Sequence, residues 1–215
     1  MQKRNKQLTI EHLKKTALTI IKKEGIKELR VNRLEKESGM SKRLVYDYFG
    51  SIENLLKIVL KENDPWQPYA ILFEKIKLNH KITHGKELAT ILLKKQLSGL
   101  LQDRVMQEIN LLALTNQESE TLKKLSQGRN ELVEKLFSLS TERFENTTID
   151  FPVIFALLTA GINYLILYQN KQEESLFGID LHDENSFQKL HNSIEQIMSL
   201  IYKEANVQQG KPARI

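Results

Sequence analysis

Apolar residues recur at helical spacing along almost the whole chain, and this constrains the fold more than any other feature. Ile10, Leu13, Ala17 and Ile20 step at i, i+3, i+7 and i+10, which lines one face of a 3.6-residue helix. No run of four or more residues alternates with the β-branched enrichment of a strand. The 9 glycines and 4 prolines are too few for the many turns of an all-β chain. The expected fold class is therefore all-α. A length of 215 residues fits one large domain or two small ones. With 40% hydrophobic and 27% charged residues, the composition is globular and wholesale disorder is excluded.

Start and stop signals divide the pattern. Thr9 is a candidate N-cap and Gly25 a stop for a first helix over 9–24. Val31, Leu34 and Ser38 give the inner face of a short second helix ended by Gly39. Ser41 caps a third helix running to about Phe49. Ser51 caps a fourth, with Ile52, Leu55, Leu56 and Val59 facing inward, and Asp64-Pro65 stops it. Longer helices are expected over 67–79, 85–101, 104–115, 118–143, 151–169 and 184–205. A polar connection spans 171–182, and the tail from Asn206 is expected to fray and remain flexible. The expected organisation is 1–50, then 51–205, then the tail at 206–215.

The charge is uneven. Residues 1–62 carry 15 Lys and Arg against 8 Asp and Glu, a net of +7; the rest of the chain carries a net of −2. A basic end on a mildly acidic body points to an anionic partner for the first quarter. A solvated charged face is the alternative. Several function classes drop out. The chain has no cysteine, so it has no disulfide, thiolate nucleophile or Cys-ligated zinc. There is no HExxH, GxSxG or phosphate-cradling glycine loop. His80 and His84 are four residues apart, but Thr83 and Gly85 suggest a helix break there. No catalytic residue, metal site or cofactor is expected. The polar, basic Met1–Gln7 stretch has no apolar core behind it, which excludes a secretory signal. Phe151 to Asn170 is uncharged and long enough to cross a bilayer. It also holds Pro152, Thr159, Gly161, Asn163 and Gln169, which favours a buried or subunit-interface helix. A cytoplasmic protein with no membrane partner is the expectation.

The sharpest signal is the turn Ser38-Gly39-Met40-Ser41. Gly39 can take positive φ and reverse the chain within three or four residues. Ser41 then caps the next helix at once. Helices joined so tightly cross steeply, which frees the second to enter a groove. Met40, Val45 and Phe49 are expected to lock this helix onto the first two. Lys42, Arg43, Tyr46 and Asp47 occupy its opposite face, with Tyr48 at the flank. Its first turn directs backbone N–H groups outward, which suits phosphate oxygens. Lys and Arg reach guanine edges or phosphate, and a Tyr hydroxyl donates to phosphate.

The run from Gly39 through Ser41, Tyr46, Tyr48, Phe49, Ser51, Glu53 and Leu55 resembles the N-terminal signature of TetR-type bacterial repressors. Ala17, Glu24-Gly25 and Leu34 fit that family's first two helices, so the resemblance covers about residues 9–60. It implies DNA contact by Lys42, phosphate contact by Tyr46 and Tyr48, and a further base contact from Arg43. It places Arg30 where the family usually has a phosphate-binding Thr, flanked by Asn32 and Arg33. Three positions depart from the pattern. Glu35 stands where a small residue is usual: either its stem snorkels, or the second and third helices sit slightly apart. Ile52 replaces a common Lys. Asp47 puts a carboxylate on the DNA-facing surface.

For the remaining chain, the resemblance implies an effector-binding and dimerisation body. One helix-turn-helix buries too little surface to discriminate sites well, so a homodimer on a palindromic operator is also the physical expectation. Its interface would come from the helices at 151–169 and 184–205, with Ala156, Ala160 and Gly161 allowing close approach and Ile194, Ile197 and Ile201 opposite. Trp66, Tyr69, Phe73, Met106, Phe137, Phe144, Phe155, Tyr164 and Tyr168 are candidates to line a pocket for a small apolar or aromatic effector. The function implied is DNA-binding transcriptional regulation, as a repressor and without enzymatic activity. Two alternatives remain open: an effector-free architectural module on the same scaffold, and a helical carrier or enzyme whose basic end is incidental.

Overall fold

The computed structural model describes residues 2–64, 71, 85–115, 120–172 and 175–210, without the side chains of 2–4 and 120–126. Among these residues the chain is helical: α1 (Gln2–Glu24), a 3-10 turn (Ile26–Glu28), α2 (Val31–Ser38), α3 (Lys42–Phe49), α4 (Ile52–Glu62), α5 (Gly85–Gln102), α6 (Arg104–Thr115), α7 (Glu120–Phe144), α8 (Phe151–Gln172) and α9 (Glu184–Gln208). The one pairing of strand type is an isolated bridge between Leu176 and Ile179. The helix expected at 67–79 lies outside the described residues.

The contacts divide the chain into two compact units. The first holds Met1–Pro65 together with Asp103–Leu125. Leu13, Ala17, Ile20 and Ile21 of α1 form its centre, with Leu34, Val45 and Phe49 of α2 and α3. Leu55, Val59 and Leu60 of α4 and Val105 and Ile109 of α6 complete the same core. Thus α4, expected within the 51–205 body, packs with the N-terminal helices. Helix α6 joins them from 40 residues further along the chain. Its own start is set by Asp103, whose carboxylate accepts from the Val105 N–H at 2.8 Å, an N-cap that satisfies an orphan donor.

Helix α1 begins at Gln2, not at Thr9. Thr9 is interior, and its hydroxyl donates back to the Asn5 carbonyl at 3.0 Å. Nothing between Gln2 and Leu8 breaks a helix, and Gln7 donates to Glu11 one turn on at 3.0 Å, a favourable i, i+4 pair. The stop at Gly25 is found where expected, since α1 ends at Glu24 and Gly25 has φ 97°.

The second unit holds Trp66–Gln102 and Ser126–Ile215. Helix α5 packs against both α8 and α9, and its buried Gln96 donates to Asn163 of α8 at 2.8 Å. Aromatic rings fill the space between α7, α8 and α9. Phe144 stacks on Phe151 at 4.6 Å, and Tyr202 meets both edge-on. Helix α9 continues past the expected end at 205, because its last turn is docked. Asn206 is buried and accepts from Arg143, and the Gln208 side chain accepts the Thr148 N–H at 2.8 Å. Gln209 donates to the carbonyls of Glu142 and Glu145. The connection after α8 is likewise held. Gln169 donates to Asp180 at 2.6 Å and accepts the Leu181 N–H at 2.9 Å, and Leu181 is buried.

Candidate nucleic-acid interface and body cleft

The turn between α2 and α3 follows from four residues. Gly39 takes the left-handed conformation at φ 67° and donates its N–H to the Glu35 carbonyl. The Ser38 hydroxyl accepts from the Met40 N–H at 3.2 Å. The Ser41 hydroxyl accepts from the Arg43 N–H at 3.3 Å and caps α3. Met40 packs partly against the core, and Val45 and Phe49 are buried in it. From α1, the His12 ring Nε2 lies 3.1 Å from the Ser38 carbonyl and holds the end of α2. At the far end Gly50 closes α3 through its N–H to Tyr46. Ser51 then caps α4 through the Asn54 N–H at 3.1 Å.

This anchoring leaves Ser41, Lys42, Arg43, Tyr46 and Asp47 together on the open face of α3. Tyr46 is 53% exposed, a large aromatic held out in water. Tyr48 is half-buried at the flank, with its ring partly packed on the core. Arg30 and Asn32 are exposed at the start of α2.

The electrostatics differ from the expectation in three places. The first-turn N–H groups of α3 are not all free: Lys42 donates its own to the Glu35 carboxylate at 2.9 Å, and Arg43 donates to Ser41. This accounts for Glu35 where a small residue was expected. Its side chain reaches forward as a second cap on α3, and a carboxylate there suits the positive end of the helix dipole. Asp47 pairs with Arg43 at 3.6 Å. Arg33 is turned away from the open face: it donates twice to Glu24 and pairs with Glu37 at 3.0 Å. The hydrogen bond from Arg33 holds the Glu24 carboxyl below its ordinary range. Arg30 is only loosely engaged, at 3.3 Å from Glu28. Lys42 has no ion pair among the described residues.

Two contributors carried no sequence signal. Glu108 of α6 is nine-tenths buried, accepts the Ile26 N–H at 3.0 Å and pairs with Arg104 at 3.2 Å. It therefore fixes the chain between α1 and α2 from 82 residues away. Lys6 places its ammonium over the Tyr48 ring, 5.3 Å from the centroid.

In the second unit a cleft of about 440 Å³ opens where α7 meets α8, lined by Phe137, Phe144 and Phe151 with Ser140, Glu145 and Asp150. Of the expected pocket residues, Phe137 and Phe144 line it. Phe155 is buried with its ring edge-on to Phe137, and Met106 is fully buried. Tyr164 is 60% exposed and tilts against Tyr168, which places it on the outer face of α8 and not in a pocket. Trp66, Tyr69 and Phe73 lie outside the described residues, as do His80 and His84. Among the expected interface residues, Ala156, Ala160 and Gly161 are exposed, as is Ile197, and Ile201 is half-buried. Ile194 is buried within the chain itself. Among the described residues α8 alone is long and apolar enough to cross a membrane, with 28% of its most apolar window buried in this chain.

A tight two-helix turn with a capped, cation-bearing second helix is the arrangement of a DNA-binding helix-turn-helix. Residues 13–59 match bacterial regulatory proteins of the tetR family. No curated protein matches the chain. Two solved structures resemble it in fold. One is a transcriptional regulator FadR from Bacillus subtilis in complex with stearoyl-CoA: 17% identity, TM-score 0.59, 87% of this chain and 96% of that one covered. The other is the fatty acid degradation regulator FadR from Bacillus halodurans: 15% identity, TM-score 0.61, 88% and 94% covered. Residues 13–59 thus carry a segment similar to the tetR-family regulators, and the chain as a whole shares the fold of these two structures.

Proposed function

We propose that the protein is a cytoplasmic repressor that binds a palindromic operator as a homodimer and leaves it when a small apolar or aromatic molecule binds the body. The observation that carries the DNA-reading part is the presentation of α3. Lys42, Arg43 and Tyr46 stand exposed on a helix locked from behind by Val45 and Phe49 and capped by Ser41. Lys42 has the freest charge and is assigned a base or phosphate contact. Arg43 must exchange Asp47 for DNA. Tyr46 donates to phosphate and Tyr48 supports it from the flank. Ser41 fixes the helix start, and Arg30 and Asn32 reach the backbone from the start of α2. Arg33 acts by holding α2 to Glu24.

A homodimer is supported by the outer face of α8. Val153, Ala156, Leu157, Ala160, Gly161 and Tyr164 recur at helical spacing and all are exposed. On α9, Ile197, Leu200 and Val207 form a second exposed apolar stripe. Apolar surface of this extent on a water-soluble chain marks an interface, and a symmetric pair of such faces is self-complementary. The effector part draws on the aromatic cleft and on the relative described with stearoyl-CoA, whose long acyl chain belongs to the apolar class proposed here.

Selection of bound duplexes from random DNA tests the reading. A palindromic consensus is expected, and Lys42→Ala with Tyr46→Ala should weaken binding to it by tenfold or more with the fold intact. Unchanged affinity in that double variant would refute α3 as the reader. Titration of the bound complex with stearoyl-CoA and with uncharged aromatic compounds tests release.

A further inference from the structure

Phe177 is 87% exposed, more than any other large apolar side chain among the described residues. It is also held in a conformation that bulky residues avoid. Its φ is 55° and that of Gly178 is 74°, so both central residues of the turn lie in the left-handed region, as in a type I′ turn. Asn, Asp or Gly is usual in the first of these places, and a Phe there stores strain. The turn is nonetheless fixed. The Ile179 N–H donates to the Leu176 carbonyl at 3.0 Å, and these two residues bridge. Behind them, Gln169 of α8 holds both Asp180 and Leu181. A ring held out in water on an anchored, strained turn points to a contact made with another molecule.

The outer face of α8 indicates which molecule. Val153, Ala156, Leu157, Ala160, Gly161 and Tyr164 are exposed on it. These positions are symmetric about a point between Leu158 and Thr159. An antiparallel second α8 centred there sets Val153 against Tyr164, Ala156 against Gly161 and Leu157 against Ala160. Large side chains then meet smaller ones, and the set maps onto itself, as a two-fold axis requires. A parallel pair would instead set Leu157 on Leu157 and Gly161 on Gly161. The antiparallel register also places the turn. Gln169 lies about 16 Å along the helix from the centre, at about 1.5 Å per residue, and its counterpart on the other copy is Thr148. Thr148 lines the aromatic cleft at the start of α8, with Phe137, Phe144 and Phe151. Phe137 stands edge-on to Phe151 at 5.8 Å, and such a cluster accepts a further ring in offset or edge contact.

We infer that Phe177 of each copy seats in the aromatic cleft of the other, so that the cleft is complete only in the dimer. The inference deepens the homodimer proposal and rests on it. The exposed ring gains an apolar enclosure, and the cleft gains a wall from the second copy. A molecule bound in the cleft then touches both copies.

The chain has no cysteine, so introduced thiols are the only ones present. Full-length chains carrying Phe177→Cys are mixed with chains carrying Thr148→Cys, allowed to exchange subunits, and oxidised mildly. A disulfide needs Cα atoms within about 7 Å. This pair should give a species of twice the chain mass on a non-reducing gel, beyond that of either chain oxidised alone. Phe177→Cys mixed with Glu131→Cys, exposed on α7 outside the cleft lining, should give no such excess. The dimer dissociation constant is measured in parallel by sedimentation. Phe177→Asn keeps a residue that tolerates the left-handed region, and it should weaken association at least about tenfold, because two symmetric rings lose their enclosure. Its circular dichroism should match wild type, since the ring it removes stands in water in the single chain. Equal cross-linking of Phe177→Cys to Thr148→Cys and to Glu131→Cys, or a Phe177→Asn dimer as tight as wild type, overturns the inference and leaves the homodimer proposal standing. A wild-type protein that sediments as a monomer overturns the homodimer proposal, and this inference with it.

Discussion

Gly25 and Glu108 form a pair whose members need each other. Gly25 has φ 97°, a conformation that L side chains rarely adopt, and a Cβ there would stand 2.9 Å from the Glu108 carboxylate. The carboxylate occupies that space because it accepts the Ile26 N–H. Removing it leaves a buried donor unsatisfied, which costs about 1–3 kcal/mol. Glu108→Ala should therefore lower the unfolding free energy by that amount, read from the urea unfolding curve followed by far-UV circular dichroism. Glu108→Gln should lose less, since the amide oxygen can still accept. Gly25→Ala meets both the backbone strain and the collision, which pushes the carboxylate off Ile26. Because both changes break the same hydrogen bond, G25A/E108A should cost less than the two singles added. Full additivity would show that they act separately. The sequence marks Gly25 as a helix stop, but not the carboxylate that fills the space a side chain would need there.

At the scale of elements, close approach decides the packing of α5, α7 and α9. A Cβ on Gly85 would fall 2.1 Å from the Ser140 hydroxyl and 2.9 Å from that of Tyr202. Those two hydroxyls hydrogen-bond at 3.0 Å inside the second unit. Burial pushes the Tyr202 hydroxyl up to about 12 from its ordinary 10.0. A tyrosine in the unfolded chain ionises near 10 and the folded one near 12, so the folded state binds the extra proton between these values. Stability from this group is complete below about pH 10 and falls as pH rises towards 12. The loss approaches about 2–3 kcal/mol at 1.36 kcal/mol per unit. Melting curves at pH 9.5 and 11.5 should show a larger drop for wild type than for Tyr202→Phe; equal drops would place the alkaline transition elsewhere. The short helices α3 and α4 were legible because their starts carry chemical signals: Ser41 and Ser51 each accept a backbone N–H as caps. The start of α1 was misread because Thr9 has a capping side chain with no capping role, and the preceding residues are simply helical.

For the whole molecule, the two units solve different problems with the same helices. Among the described residues the first packs most of its large apolar side chains into one core around α1, with Leu8, Tyr46 and Leu114 left exposed. The second leaves Val153, Leu157, Tyr164, Leu200 and Val207 more than half exposed. If that surface joins two copies, a charge within it is expensive to bury unpaired. Leu157→Glu with Leu200→Glu should convert a dimer to a monomer in sedimentation, with the helical content unchanged. Operator affinity should fall at least a hundredfold, because each half-site then binds alone. A variant that sediments as wild type would show that α8 and α9 do not form the interface.

The sequence by itself determined the helical class, the tight turn at Gly39, the caps of α3 and α4, and the residues on the open face of α3. All of these depend on neighbours within about eight positions, where periodicity and capping chemistry are local. Only the tertiary structure decided which charges remain available to DNA. Arg33 meets Glu24 across nine residues, and Lys6 meets Tyr48 across 42. Likewise Ile194 and Tyr164 have similar apolar character, yet one is buried and the other faces outward. Which face of a helix is covered depends on the elements that pack against it, and those contacts join residues far apart in the chain.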